Sequence, residues 1–443
     1  MLILFLFYND LRQKREGVSS AIWIPFTWLF LAGSRYVSQW LSLSAPTEAS
    51  ADFYLEGSPL DRAVFLALIV LGVFIIVRRK VDWTKLLTKN TWALLFFLFG
   101  LISILWSEYP TVSFKRLFKA SGNLVMAIVI LTEENPLEAI GAIIRRLAFL
   151  LLPLSVLFIK YYPDLGRTYH MGMPSYTGVA SQKNGLGQIC LIVGIYYLWE
   201  IFLKNKDRGI PRKRRDPIIY LTILVMLVWL LNKSDSATSI ICMVVTLCLL
   251  LLSRLPGMAQ QPNKLLIIGA SVAFVIVLLE ITLNLSGVII TSIGRDPSLT
   301  TRVPMWNRLL QMQKNPILGF GFESFWLGPR LEVLLQKYGV RQAHNGYLET
   351  YLNLGLTGLI ILVASLLSGL NKVRKQLSID YRFAVLKILF IVTIAFYNWT
   401  EATFYGVSNL WVLFFLGILE PLNVRLADAH ESPGRARLVG IAG

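Results

Sequence analysis

The sequence is short of charged side chains, cysteine and histidine. Charged residues make up 16% of the 443 residues, whereas a soluble domain carries roughly a quarter. The three cysteines form no Cys-x-x-Cys pair, so a zinc ribbon, a redox dithiol and a disulfide framework are excluded. There is no P-loop, no His-Glu-x-x-His motif and no sequence cluster of metal ligands. We therefore expect neither a nucleotide nor a metal nor another cofactor.

Long apolar runs recur along the whole chain, and 55% of the residues are hydrophobic. Each run is long enough to cross a hydrocarbon layer of about 30 Å. Lipid offers the backbone no hydrogen-bond partner, so such runs are helical, and the alternating pattern of a β-barrel is missing. We therefore predict an all-α, polytopic membrane protein with about twelve transmembrane helices. The predicted spans are 20–43, 62–77, 91–107, 113–132, 139–160, 184–203, 217–232, 236–253, 265–284, 345–369, 383–398 and 408–423.

Positive charge is concentrated in short loops, although a net charge of +17 would suit a nucleic-acid binder among soluble proteins. Basic residues fill the loops at 78–89, 204–215, 254–264 and 372–382 and the tail after residue 424. All of them fall on one side of the twelve-span arrangement, as the positive-inside rule requires. We therefore predict cytoplasmic termini, an uncleaved first span, contact with the lipid bilayer and no nucleic-acid partner.

One connection, residues 285–343, is much longer than the others and falls on the outer side. Loops of this length are uncommon unless they have structure or function of their own. Helical periodicity predicts a helix over Thr301–Lys314 and a second over Phe325–Tyr338. The predicted organisation is spans 1–9 in residues 1–284, a helical periplasmic cap in 285–343, spans 10–12 in 344–424 and a cytoplasmic tail in 425–443.

Cationic side chains gather near the predicted outer face. Span 4 opens with Lys115, Arg116 and Lys119, Arg167 follows span 5, and Lys183 opens span 6. The alternative to a binding site is that these side chains reach up to lipid headgroups. Their convergence at one depth instead predicts an anionic ligand. A lipid diphosphate has its headgroup at that depth, and arginine binds phosphate oxygens in a bidentate manner.

His344 is one of only three histidines and lies where the cap re-enters the membrane at the start of span 10. The positive end of a helix dipole disfavours the cationic form of an imidazole ring. A neutral ring suits a general base at pH 7. The alternative is an ordinary histidine at the membrane interface.

Short motifs resemble those of the O-antigen ligase family, which also includes O-antigen and exopolysaccharide polymerases. They lie at 181–187, 234–238, 302–306, 315–321 and 344–355. Position 182 is glutamine, where many relatives have a histidine before the Lys-Asn pair. The resemblance covers residues 160–370 by motifs and the remainder by the number of spans.

The resemblance implies transfer of a glycan from undecaprenyl diphosphate to a sugar hydroxyl, at the periplasmic face of the bacterial inner membrane. The acceptor is lipid A–core in a ligase and another lipid-linked repeat in a polymerase. His344 matches the essential histidine of the family, and Arg302 matches one of its essential arginines. Cations would replace a metal ion in stabilising the leaving diphosphate. Candidate diphosphate ligands are Arg167, Lys183, Lys115, Arg116 and Lys119, and candidate sugar or lipid contacts are Trp306, Asn345 and Tyr347.

Two other classes of membrane protein stay open on the sequence. A polysaccharide flippase or another secondary transporter also has about twelve spans, but transporters usually show two repeated halves and broken helices at the midplane. A structural scaffold would not need the charges of span 4. Because one asymmetric loop dominates and no repeat is evident, we favour a glycosyltransferase over both.

Overall fold

The computed structural model describes residues 2–13, 15–42, 58–170, 173–203, 217–258 and 302–421, together with 261, 263–264, 267–269 and 271. Most of predicted span 9, the first part of the cap and the cytoplasmic tail lie outside these residues. So do the loops at 43–57 and 204–216.

The first half of the chain forms short and long helices in alternation. These are α1 (Leu2–Leu11), α2 (Trp23–Gly33), α3 (Val37–Ser42), α4 (Pro59–Arg78), α5 (Trp83–Lys89), α6 (Thr91–Ile102), α7 (Pro110–Leu131), α8 (Pro136–Tyr161) and α9 (Pro163–Gly166). A hairpin of β1 (Arg167–His170) and β2 (Met173–Tyr176) follows. The remaining helices are α10 (Lys183–Leu203), α11 (Pro217–Ser234), α12 (Ala237–Ser253), α13 (Arg302–Gln311), α14 (Pro329–Tyr338), α15 (Gly346–Gln376), α16 (Tyr381–Thr400) and α17 (Asn409–Ile418).

Local chemistry sets many of these helix starts. Several helices begin at a proline, whose fixed φ suits the first helical position and whose missing N–H costs nothing there. Side-chain caps add to this: Asn135, before Pro136 of α8, accepts from Glu138 N–H at 3.1 Å, and Asp380, before α16, accepts from Phe383 N–H at 3.1 Å. The sequence therefore specifies where these helices begin before any tertiary packing.

Six of the helices described are long and apolar enough to cross a membrane: α4, α8, α10, α11, α15 and α16. The pair of α5 and the helical stretch from Thr91 to Trp106 is bent by 88° and makes a seventh if it is one span. The 22-residue α7 is not among them, since it carries Lys115, Arg116 and Lys119. A helical, multi-pass membrane protein is thus confirmed, whereas the count of twelve spans is not.

Several predicted boundaries need correction. Span 1 is not one helix, because α2 ends at Gly33 and α3 begins at Val37, with Ser34 bonded back to Phe30 O at 2.7 Å. Span 12 stops early: α17 ends at Ile418, where the buried Lys387 donates to Leu419 O at 2.7 Å. The sequence also gave no sign of α1, α5 or the β1–β2 hairpin. Apart from this hairpin, the regular structure described is helical.

The described part of the cap packs on α15 through its own apolar core. Members include Leu309 of α13, Phe325 and Trp326 between the two cap helices, Leu334 of α14 and Leu352 of α15. Met305, Phe320, Leu331 and Ala343 complete the buried set. This second core holds the cap helices against the outer end of α15.

A break in α15 gives the cap a second attachment. Gly355 has φ +64°, a left-handed conformation that glycine adopts without a steric cost. The N–H groups freed there are satisfied by the preceding loop: Leu356 N–H donates to Pro316 O at 2.8 Å, and Thr357 N–H to Ile317 O at 3.1 Å. A Cβ at Gly319 would lie 2.4 Å from Asn353 O. The glycines of the 315–321 motif therefore serve this docking.

A group of charged side chains is buried between the first half of α8, the last turn of α10 and the N-terminal segment. We call Asp10, Arg15, Arg145, Arg146 and Glu200 the inner arginine cluster. Arg146 donates to Asp10 at 2.9 Å, Arg145 lies 3.3 Å from Glu200, and Arg15 also bonds Asp10. Each of these side chains is no more than 8% exposed. The cluster fastens α1 to the helical bundle.

Candidate functional site

Four separate parts of the chain meet at one carboxylate, Glu401. Its Oε1 lies 3.2 Å from Arg302 Nη2 and accepts from Asn184 Nδ2 at 3.0 Å. Its Oε2 lies 3.1 Å from His344 Nδ1. Arg302 also donates to Thr400 O. We call Arg302, Glu401, His344 and Asn184 the Glu401 cluster.

The ends of helices position each member of this cluster. Glu401 directly follows the last residue of α16, and Asn184 lies in the first turn of α10. Arg302 is the first residue of α13, and His344 precedes Asn345, the N-cap of α15. Because the side chains project from helix ends, four helices place them at a common point without crowding one another.

His344 is held in a costly conformation. Its φ is +50°, and a non-glycine residue in the left-handed region is uncommon. Glu401 Oε2 fixes the ring, and Gln342 Nε2 lies 3.4 Å from Nδ1. The carboxylate accepts a hydrogen bond from Nδ1, which in a neutral ring leaves Nε2 as the acceptor. With 28% of the side chain exposed, this nitrogen can take a proton from an incoming hydroxyl.

The sequence motifs converge on this cluster. Asn184 comes from the 181–187 motif, and Thr238 of the 234–238 motif bonds Thr400 with 2.8 Å between the two hydroxyl oxygens. Arg302 and His344 come from two further motifs. Glu401 itself was missed by the sequence reasoning. The available signal was a polar interruption between two apolar runs at Asn398, Thr400 and Glu401.

A cationic cavity of about 220 Å³ lies beside the cluster. Arg116, Lys119 and Arg341 line it together with the carboxylates of Glu323 and Glu349. It reaches the Glu401 cluster through Gln342, which accepts from Tyr405 Oη at 2.7 Å and contacts His344. Three cations against two carboxylates leave one positive charge, so the cavity suits an anionic group.

The carboxylates of this cavity are already engaged within the protein. Glu323 accepts from Gly406 N–H at 2.6 Å, and burial raises the pKa of its carboxyl group against the opposing effect of Arg116. Glu349 accepts from Ala343 N–H at 2.6 Å and from Trp326 Nε1 at 2.6 Å. Lys119 lies over the ring of Tyr36 at 4.6 Å.

The structure does not bring the other predicted diphosphate ligands to this place. Arg167 lies in β1 and donates to Ile159 O at 2.7 Å. Lys183 lies 3.6 Å from Asp235, with both side chains close to half exposed. Lys115 is exposed on α7. None of these three lines the cationic cavity or the neighbouring uncharged cavity discussed below.

The candidate sugar or lipid contacts have structural partners. Trp306 Nε1 donates to Ala343 O at 2.7 Å and so fixes the residue before His344. Asn345 accepts from the N–H groups of Tyr347 and Leu348 at 3.0 Å each and caps α15. Tyr347 donates to Ala395 O at 2.8 Å. All three hold the backbone around His344, so their roles as substrate contacts stay predictions.

Comparisons with known proteins agree with the motifs. Residues 220–363 match the family model described as O-antigen ligase. Over 317 residues the chain is 28% identical to the exopolysaccharide production protein ExoQ of Rhizobium meliloti (strain 1021). That match covers 68% of this chain and 70% of that protein. The segment matched by the family model contains Arg302 and His344 and ends before Glu401.

Proposed function

We propose that the chain is a member of the O-antigen ligase family, as its matches to the family model and to ExoQ support, and that it transfers a glycan from a polyprenyl diphosphate carrier to a sugar hydroxyl. One observation carries the proposal: Arg302 and His344, from separate motifs, share the carboxylate of Glu401 beside a cationic cavity. A group that binds phosphate and a group that accepts a proton therefore lie within reach of one substrate.

The proposed reaction is a single displacement at the anomeric carbon. His344 Nε2 takes the proton of the acceptor hydroxyl, whose oxygen forms the new bond to that carbon. The bond from the carbon to the diphosphate oxygen breaks, and the diphosphate leaves with the electron pair. Arg302 and the cations of the cavity stabilise the charge that grows on this leaving group. In this proposal they do what a metal ion does in other transferases.

Glu401 orients both reacting groups in this scheme. Its Oε2 fixes the histidine ring through Nδ1, so that Nε2 points to the acceptor, and its Oε1 holds the arginine fork. A buried carboxylate that orients a histidine also stabilises the imidazolium formed when the ring takes up a proton. Glu401 is thus a positioning residue in the proposal.

The membrane supplies the donor. We propose that the carrier is undecaprenyl diphosphate and that the site faces the periplasm at the outer boundary of the bacterial inner membrane. The multi-pass helical fold and the predicted charge bias of the loops support this placement. A polyprenyl diphosphate keeps its chain in lipid and presents its phosphates at the depth where Arg116 and Lys119 enter the bilayer.

The first candidate for the acceptor is lipid A–core, which would make the chain an O-antigen ligase. The description of the matching family model supports this assignment. The acceptor hydroxyl in that case belongs to a glycolipid that stands in the same leaflet as the donor.

The second candidate is a polymerase, in which the acceptor is another lipid-linked repeat. The similarity over 317 residues to an exopolysaccharide production protein favours a polymerase. The chemistry at Arg302 and His344 is the same in both cases, and the two candidates differ in the acceptor alone.

Deletion of the gene and analysis of the surface polysaccharide tests the proposal. For a ligase we expect loss of long chains from lipid A–core and accumulation of lipid-linked polymer. For a polymerase we expect single repeats only. Lipid-linked glycan trapped on the cytoplasmic side would instead identify a transporter, and an unchanged polysaccharide would contradict both candidates.

A further inference from the structure

A second cavity, of about 300 Å³, differs sharply in chemistry from the cationic one. It lies between the end of α2, the start of α10 and the segment that joins α16 to α17. Among the described residues that line it, no side chain is charged. Its polar groups are side-chain amides and hydroxyls, including those of Gln39, Gln182, Gln188 and Thr403. Its volume is at the lower end of the about 300–1,000 Å³ common for small-molecule sites.

Two buried acceptors in its wall lack a protein partner. Ser408 Oγ and Asn409 Oδ1 are shielded from solvent and make no hydrogen bond within the described chain. Asn409 is only 4% exposed, and both residues line the cavity. A buried oxygen without a donor costs free energy comparable to a lost hydrogen bond. A ligand that donates hydrogen bonds would remove this cost.

The chemistry of the wall selects the class of ligand. A phosphate or carboxylate offers acceptors only, so it would leave Asn409 Oδ1 unsatisfied, and no cation lies in the described wall to compensate its charge. A sugar hydroxyl is both donor and acceptor, and side-chain amides provide both partners for it. The wall therefore suits a neutral, hydroxyl-rich ligand.

The cavity is close to the proposed reaction site. Ala402 in its wall directly follows Glu401, and Gly185 directly follows Asn184. Tyr36 and the segment from Tyr405 to Val407 line both cavities. A ligand in the uncharged cavity would thus lie next to one in the cationic cavity.

We propose that the uncharged cavity binds one neutral sugar residue and holds it beside His344, with Asn409 as its specificity-determining contact. This inference rests on the proposed glycosyl transfer. The sugar is either the first residue of the lipid-linked donor or the terminal residue of the acceptor, and both present the same hydroxyl chemistry to Asn409.

Binding of free glycosides tests the cavity without turnover. The detergent-purified full chain is observed by saturation-transfer NMR with methyl glycosides of glucose, galactose and N-acetylglucosamine, and with inorganic pyrophosphate as competitor. We expect at least one neutral glycoside to bind, Asn409→Leu to weaken it about fivefold, and pyrophosphate not to displace it. Ser408→Ala removes the second acceptor and should weaken the same glycoside. Gln336→Leu, an amide-to-leucine change on the exposed face of α14, is the matched control and should bind like the wild type.

Some results of this binding experiment would overturn the inference. They are failure of all three glycosides to bind, unchanged binding to a folded Asn409→Leu variant, and displacement by pyrophosphate. Circular dichroism of each variant checks that it is folded. If a glycoside binds through Asn409 while no glycan is transferred by the wild type, the cavity stands and the proposed reaction fails, so the two failures are distinguishable.

Kinetics of the Asn409→Leu variant then separates the two sources of the sugar. A KM raised for the lipid-linked donor assigns the cavity to the donor's first sugar. A KM raised for the acceptor assigns it to the acceptor's terminal sugar. An unchanged KM for both substrates contradicts a sugar site here.

Discussion

The Glu401 cluster and the inner arginine cluster both bury arginine against carboxylate, yet they differ in surroundings. Glu200 of the inner cluster lies sixteen residues after Asn184 on α10, about 24 Å away at 1.5 Å per residue. The inner side chains lie in the N-terminal segment, in the first half of α8 and in the last turn of α10, and they line neither cavity. The members of the Glu401 cluster project from helix ends, and its neighbours line both cavities.

This difference shows why a buried ion pair alone does not mark a functional site. The inner cluster pairs each of three arginines, Arg15, Arg145 and Arg146, with a carboxylate, and the pairs Arg146–Asp10 and Arg145–Glu200 join different segments, as buried charges within a membrane domain require. In the Glu401 cluster, one carboxylate contacts Arg302, Asn184 and His344, and the His344 side chain stays partly exposed to solvent. The first arrangement fixes helices, and the second leaves groups that can react.

The largest effect is expected from loss of the base. His344→Asn should lower kcat about 10²–10⁴-fold, the usual contribution of a general base. Asparagine is chosen because it tolerates the left-handed φ of this position better than alanine does. The measurement is glycan transfer in proteoliposomes, with membrane insertion and thermal unfolding followed alongside. His344→Ala should be equally inactive, and full activity of either folded variant would exclude His344 as the base.

Loss of the orienting carboxylate is expected to have a similar or somewhat smaller effect. Glu401→Gln keeps the shape of the side chain but can donate to His344 Nδ1 and so favours the wrong tautomer, which costs up to about 10⁴-fold in a catalytic triad. Glu401→Asp should restore part of the rate because the negative charge returns. Transfer rates of the two variants check this. Equal rates for Gln and Asp would mean that the residue is only structural.

A smaller effect is expected at the arginine. Arg302→Lys keeps the charge and replaces the bidentate fork by a point charge, so kcat should fall about 10–100-fold. Arg308→Lys is the control, since Arg308 lies on the same helix and its bond is to Gln311. Transfer assays of both variants make the comparison. An unaffected rate in Arg302→Lys would count against diphosphate binding at this residue.

The inner cluster should respond in the opposite way. Asp10→Asn leaves Arg15 and Arg146 without their shared carboxylate, and breaking a buried pair costs about 3–5 kcal/mol. We expect a lower midpoint of thermal unfolding with transfer per folded molecule close to that of the wild type. A folded but inactive Asp10→Asn variant would mean that the inner cluster also takes part in the reaction.

The sequence predicted those features whose cause is local. Hydropathy located most of the helices, and periodicity located the cap helices now seen as Arg302–Gln311 and Pro329–Tyr338. The break at the left-handed Gly355 was not predictable, because the carbonyl groups that satisfy the freed N–H groups lie in a distant segment. Helix ends set by lysines from other helices, as at Ile418, have the same origin.

For the site, sequence motifs supplied Arg302 and His344, and folding supplied their connection. Glu401 is 57 residues from His344 and 99 from Arg302 along the chain, so no spacing rule could join them. Arg167 and Lys183 satisfied the same charge argument as Arg116 and Lys119. Only the fold separates them, because the Ile159 carbonyl of α8 engages Arg167 and Asp235 engages Lys183.

The identity of the lipid product tests the central claim most directly. Purified protein in liposomes receives polyprenyl diphosphate-linked glycan with label in both the lipid and the sugar, and the products are separated. Cleavage at the anomeric carbon predicts free polyprenyl diphosphate in amounts equal to the glycan transferred, with neither product formed by His344→Asn. Polyprenyl monophosphate with a glycan phosphate, or movement of intact donor across the bilayer, would contradict glycosyl transfer at the Glu401 cluster.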